Sequence, residues 1–141
     1  MIIHYKKSTK STQSMHGVRD WNQNFRLENS EFDCVIRAIT DNDEIIGQIA
    51  VDKEWIFFLS VKPEYRHYGI GSKLMTLAEE QISYNYDIAY LRPQKEFIDT
   101  LIPWYQKQGY KVSKDNPTSV RYSDKKNNID TEEPIVMEKI L

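Results

Sequence analysis

Cysteine is almost absent: Cys34 is the single one in the chain. An internal disulfide is therefore excluded, and a reducing, cytoplasmic setting is the expectation. Cys34 lies in an apolar run and reads as a small core residue rather than a nucleophile. Long apolar runs are lacking too. The longest, Trp55 to Leu59, is strand-sized, far short of the roughly 20 residues that span a bilayer. The first ten residues, MIIHYKKSTK, hold no apolar signal core, so neither a membrane nor export is expected. No block of basic residues stands out. Net charge is −2, and Lys6, Lys7, Lys10 and the pair Lys125-Lys126 are short clusters, so no nucleic-acid surface is expected. His4, His16 and His67 lie far apart, with no metal-ligand spacing.

What is present fits one domain, residues 1–141. Met1–Tyr5 reads as a short edge strand. Val18, Trp21 and Phe25 recur at helical spacing, which predicts a helix there. Asp33–Thr40 and Glu44–Val51 are rich in β-branched residues and flank Asp41-Asn42-Asp43, a hairpin signal. Trp55–Val61 is a third strand, apolar on both faces and so expected to be central. Ile70, Leu74, Leu77, Ala78 and Ile82 then predict one amphipathic helix of about 14 residues. Asp87–Leu91 follows as a strand. Leu101–Gln108 is a short helix with Pro103 in its first turn and Gly109 as its cap. Tyr110–Val112 and Ile135–Ile140 are the last strands. An antiparallel meander joined to a strand–helix–strand crossover points to an α/β sheet with both faces covered.

The chemistry concentrates in Leu59-Ser60-Val61-Lys62-Pro63-Glu64-Tyr65-Arg66-His67-Tyr68-Gly69-Ile70-Gly71-Ser72. Two glycines stand where a strand has ended and a helix begins. A helix start exposes unpaired N–H groups and the positive end of its dipole. Glycine lets backbone approach a phosphate closely. The combination makes an anion site suited to a pyrophosphate, with Arg66 adding positive charge at its mouth. A lone G-x-G would favour an ordinary connector. The P-loop pattern is absent, and position 74 is Leu where a dinucleotide fingerprint needs Gly.

This segment resembles the acetyl-CoA signature of the GNAT superfamily of N-acetyltransferases, [RQ]-x-x-G-x-[GA], matched at Arg66, Gly69 and Gly71. A second segment, Leu101-Ile102-Pro103-Trp104-Tyr105-Gln106-Lys107-Gln108-Gly109-Tyr110, resembles the family's [FW]-Y-x-x-x-G-[FY]. The resemblance covers residues 33–112 and does not reach the first 30. It implies a mixed, mostly antiparallel central sheet with helices on both faces, splayed between two central strands. It implies acetyl-CoA as cofactor, with Leu59 and Val61 bonding pantetheine through their backbones. The pyrophosphate would be held by the amides of Arg66, His67, Tyr68, Gly69, Ile70 and Gly71 and by the helix start at Ser72. It also implies direct acetyl transfer to a primary amine of a small molecule or peptide in a ternary complex, with Tyr105 protonating the leaving thiolate.

Glu54, at the start of the strand leading to the site, is the candidate general base, directly or through water; Asp52 is a second. Histidine is a residue type suited to base chemistry near neutral pH, but His67 sits within the phosphate loop, where its side chain more naturally faces solvent. The alternative from another class is a non-catalytic domain of the same fold that binds or senses an acyl-CoA. That reading needs the loop but not Tyr105. A homodimer is a common solution for a small enzyme and stays open.

Overall fold

The two β-branched runs separated by Asp41-Asn42-Asp43 fold back on each other as β4 (Cys34–Thr40) and β5 (Ile45–Asp52). Asp43 takes the left-handed φ of 66° that the turn requires. Thr40 Oγ1 accepts from the amides of Asn42 and Glu44 at 3.3 and 3.2 Å. A tighter turn with Lys53 at φ 55° then leads into β6 (Trp55–Val61). This computed structural model describes residues 2–9, 18–19, 26–27, 32–113 and 135–141.

At the N-terminal side, β1 (Ile3–Thr9) pairs antiparallel with β4 and extends beyond the short edge strand expected there. Val18–Arg19 (β2) and Arg26–Leu27 (β3) form a separate two-stranded ladder. The helix expected through Val18, Trp21 and Phe25 therefore does not hold at Val18; Trp21 and Phe25 lie outside the described residues. Val18 is instead held in strand by its antiparallel pairing with Leu27, which a β-branched residue suits.

After β6 the chain crosses over through α1 (Ile70–Ser83) to β7 (Ile88–Leu91), which lies parallel to β6. A 3₁₀ turn at Lys95–Phe97 leads into α2 (Ile98–Lys107). The chain ends in β8 (Lys111–Val112) and β9 (Met137–Ile140). The main sheet runs β1-β4-β5-β6-β7-β9-β8 and is antiparallel except at β6–β7. The helix spacing seen in the sequence becomes the buried stripe Ile70, Leu74, Met75, Ala78 and Ile82. That stripe packs on Ile36, Ala38, Ile49, Val51, Ile56 and Leu91 of the sheet. Leu74 is fully buried, so Leu74→Ala is expected to cost about 2–5 kcal/mol. The opposite face of the central strands is buried as well, with Val35, Arg37, Gln48 and Ala50 all at 0% exposure.

Pro103 is the sixth residue of α2, not part of its first turn, because the helix starts earlier than the apolar spacing suggested. Pro103 is exposed, so the carbonyl it leaves unpaired can turn to water. Gly109, at φ 101°, ends the helix, with Tyr110 N–H donating to Tyr105 O at 3.0 Å. Among the described residues no helix is long and apolar enough to cross a membrane.

Candidate active site

The site begins with a disagreement in residue count between β5 and β6. Gln48 pairs with Ser60 and Ala50 with Phe57, so Phe58 and Leu59 together face the single residue Ile49. That is a β-bulge. Phe58 absorbs it with a φ of 56°, costly for a bulky side chain, and is 47% exposed. A bulge bends and twists its strand. Consistent with this, β7 pairs with β6 only at Trp55↔Tyr90 and Ile56↔Leu91. Beyond Ile56 the two strands form no further pairs, and Pro93 cannot donate to continue the ladder.

Backbone alternation shows which groups face this opening. Lys62 N–H donates to Ile46 O at 2.8 Å, and Gln48 pairs with Ser60. Val61 lies between, so its N–H and C=O point away from β5, into the gap. Its carbonyl accepts from Arg66 Nε at 3.1 Å. Arg66 is thus folded back across the mouth of the opening, which fixes its charge there. The Val61 N–H is directed into the same space. Leu59 sits in the bulge itself and packs partly against the core.

Next comes the loop. Pro63–Tyr65 is one 3₁₀ turn, and Arg66 N–H closes it on Pro63 O at 3.2 Å. The amide of Arg66 is therefore engaged internally, which narrows the expected amide set to the residues after it. His67 (φ 72°) and Gly69 (φ 79°) both take left-handed backbone, and Gly69 is the N-cap of α1. The first helical bond runs from Lys73 N–H to Gly69 O at 3.0 Å. No side chain caps the helix start, so the amides of Ile70, Gly71 and Ser72 have no intrahelical acceptor. A Cβ at Gly69 would meet nothing within 4 Å, whereas one at Gly71 would touch the Trp104 ring at 3.4 Å. The first glycine faces open space and the second faces α2. Tyr68 is 64% exposed and His67 is exposed, so both side chains point outward.

Three groups to which the sequence reading gave no role at the site hold this loop. Glu44 Oε2 accepts from Lys62 Nζ at 2.6 Å and Oε1 from the Tyr65 hydroxyl at 3.4 Å. The Lys62 hydrogen bond holds the Glu44 carboxyl below its usual range. Gly47 is the second. A Cβ there would come within 3.2 Å of Ile70 and Leu74, so its absence lets the first turn of α1 settle on the sheet. Gln108 is the third: its Nε2 donates to Ser72 Oγ at 3.1 Å. None carries a local sequence signal, because each acts on a partner far along the chain.

Tyr105 is 8% exposed, with its ring 5.1 Å from Trp104 and 6.2 Å from Tyr110. Burial pushes its phenol up to about 12. Tyr110 is instead held by Glu79, its hydroxyl donating to Oε2 at 2.9 Å. Lys139 Nζ joins the same carboxylate at 3.0 Å and also donates to Gln108 O at 2.8 Å, tying β9 to the end of α2. Glu54 lies in the turn before β6, at the closed end of the β6–β7 pair, where its carbonyl accepts from Tyr90 N–H at 2.9 Å. Val61 lies seven positions further along, roughly 23 Å of extended strand. The fold thus gathers Val61, Arg66, Gly69, Gly71, Ser72 and the end of α2, and sets Glu54 at the far end of the same strand. Cys34 is fully buried, and burial pushes its thiol up to about 11, as suits a core residue.

Comparison with known proteins bears on this geometry. Residues 33–112, more than half of the chain, match the family model of the acetyltransferase (GNAT) domain. A search of curated proteins returned no match. Among solved structures, the chain is similar to a protein provisionally described as a streptothricin acetyltransferase from Bacillus anthracis str. Ames, in complex with acetyl coenzyme A. The TM-score is 0.67 at 14% identity, covering 100% of this chain and 99% of that one. It is also similar to a nourseothricin acetyltransferase, with TM-score 0.63, 14% identity and 98% of both chains covered. A PaiA N-acetyltransferase from Thermoplasma acidophilum, in complex with coenzyme A, aligns with TM-score 0.53 at 21% identity, over 76% of this chain and 60% of that one.

Proposed function

The chain belongs to the GNAT acetyltransferase family, and from that premise we propose that it transfers an acetyl group from acetyl-CoA to a primary amine, by direct attack in a ternary complex. One observation carries the reading. An uncapped helix start, with open space at Gly69, stands beside a strand edge whose backbone faces an unzipped gap. The first feature suits a diphosphate. The second suits an amide-bearing arm that can complete the strand's hydrogen bonds.

The amides of Gly69 to Ser72 hold the diphosphate, and Arg66 adds its charge at the mouth. His67 and Tyr68 contribute backbone rather than side chain. Leu59 and Val61 offer the open edge of β6, and the Val61 N–H doubles as a donor to charge developing on the thioester oxygen. A neutral amine adds to the thioester carbon, the C–N bond forms, and the C–S bond breaks. Tyr105 gives its proton to the departing sulfur and regains one from water. The proton shed by the amine is taken up by water, since Glu54, the base expected from the sequence, stands roughly 23 Å along β6 from Val61, beyond the reach of a general base.

A thiol-release assay with acetyl-CoA and an amine panel tests this. Thiol release that depends on both reactants supports it. Failure to bind CoA at millimolar concentration would remove it.

A further inference from the structure

A polar row, buried at Arg37 and Gln48 and half-buried at Ser60, crosses the face of the sheet opposite α1. Arg37 on β4, Gln48 on β5 and Ser60 on β6 are directly paired across the three strands. A Cβ on Gly47 would point at Ile70 and Leu74 of α1. Its neighbour Gln48 therefore points to the other face, and Arg37 and Ser60 share that face. The next positions along it are apolar: Val35 and Ala50, flanked by Phe32 and Phe57. Gln48 and Arg37 are both at 0% exposure. Neither Nε2 nor Oε1 of Gln48 has a hydrogen-bond partner.

An amide buried with both ends unmet is expensive, on the order of 1–3 kcal/mol or more. Buried polar groups are nearly always satisfied by protein, ordered water or a ligand, so this exception asks for a partner from outside the chain. Position supplies the rest. The row ends at Ser60, on the strand whose far edge β7 leaves open past Ile56. It therefore runs up to the gap that the acetyl-transfer reading assigns to the thioester, and from the face not covered by α1.

We propose that Gln48 is the acceptor-recognition residue, and that the acceptor is an amine carrying an amide group that pairs reciprocally with it. This rests on the acetyl-transfer reading. Gln48 offers one acceptor oxygen and two donor hydrogens. An amide answers both ends at once, giving N–H to Oε1 and taking Nε2–H on its carbonyl. A carboxylate would set negative oxygen against Oε1. A second ammonium would leave Nε2 unmet and would face the Arg37 cation in the same row. The charged or reacting end of the acceptor is thus directed away from Gln48, and its neutral end toward it.

The test is a selectivity ratio on the full-length enzyme. Straight-chain ω-amino amides of graded length are compared with the matching ω-amino acids and simple alkylamines, each at the same concentration of neutral amine. The wild type should favour the amide of best length by about ten- to a hundredfold in kcat/KM. Gln48→Leu should bring that ratio close to one with an unchanged Kd for CoA. Its melting temperature should hold or rise, since it deletes an orphan amide. Gln48→Met, close in volume and unbranched, must give the same loss and serves if the Leu variant is insoluble. No amide preference in the wild type, a preference that survives in both variants, or a lowered melting temperature in both would overturn the inference. Acetylation of amines without any such preference overturns this inference alone. Transfer to no amine, with CoA still bound, overturns the transfer reading together with it.

Discussion

Gln108 Nε2 donates to Ser72 Oγ across 3.1 Å, joining the end of α2 to the first turn of α1. One helix carries Tyr105 and the other presents the open amides, so this bond sets the spacing between the proposed proton donor and the proposed phosphate site. Lys139 steadies it from behind by donating to Gln108 O at 2.8 Å. Gln108→Ala is expected to raise the KM for acetyl-CoA and lower kcat together, by about two- to tenfold overall, the worth of one neutral hydrogen bond. Steady-state kinetics check it; a change confined to stability, with both constants intact, would show the bond to be merely structural.

Gly69 and Gly71 should answer differently to substitution. Gly69→Glu places its side chain in open space, so the fold should lose only about 1–2 kcal/mol from left-handed strain. Its negative charge beside the diphosphate should reduce CoA affinity by at least about a hundredfold. Gly71→Ala meets the Trp104 ring at 3.4 Å, an ordinary contact, and should keep affinity within a fewfold. Calorimetry with CoA, paired with thermal melts, separates the two.

Tyr105→Phe removes the proposed proton donor while keeping the ring that packs against Trp104 and Tyr110. We expect kcat to fall by about a hundredfold or more, with CoA binding unchanged. An unchanged rate would move the role to another donor, or favour an acyl-CoA-binding domain without catalysis.

Alkaline pH offers an independent check. Burial pushes the Tyr105 phenol up to about 12, so it stays protonated throughout the range in which amines become neutral. The rate should climb as the acceptor deprotonates and show no fall assignable to Tyr105 up to about pH 10. Stability has the opposite dependence. The unfolded phenol ionises near 10 and the folded one about two units higher, so the unfolded state gives up its proton first. The stabilisation is complete below pH 10 and is lost as pH rises through about 12. Chemical denaturation at stepped pH should show this loss, smaller in Tyr105→Phe.

Glu44 is expected to act on binding alone. It anchors Lys62 and Tyr65 at the entrance to the loop, touching no residue assigned to chemistry. Glu44→Gln should raise the KM for acetyl-CoA by about two- to fivefold and leave kcat in place, with the effect shrinking at high salt.

Local chemistry made much of this legible in the sequence. The Asp41-Asn42-Asp43 turn and its flanking β-branched runs marked the β4–β5 hairpin. The apolar spacing from Ile70 to Ile82 gave α1 its 14 residues. Gly109 announced the cap at the end of α2. The bulge at Phe58 was not legible, since a register of two residues against one has no mark in either strand alone. The partners of Glu44 and Gln108 lie 18 and 36 residues away, beyond any local pattern. Val18 was misread because helical spacing is a local pattern, whereas its strand conformation comes from pairing with Leu27, nine residues on. The orphaned amide of Gln48 was equally invisible, for a glutamine in a strand declares its isolation only once its neighbours are in place.

The most direct test is a titration of the isotope-labelled chain with CoA, followed residue by residue through its backbone amide resonances. The account predicts the largest shifts at Val61 and from Gly69 to Ser72, with the β1–β4 pair little changed. Saturation with those amides unmoved, and the shifts gathered elsewhere on the sheet, would contradict it.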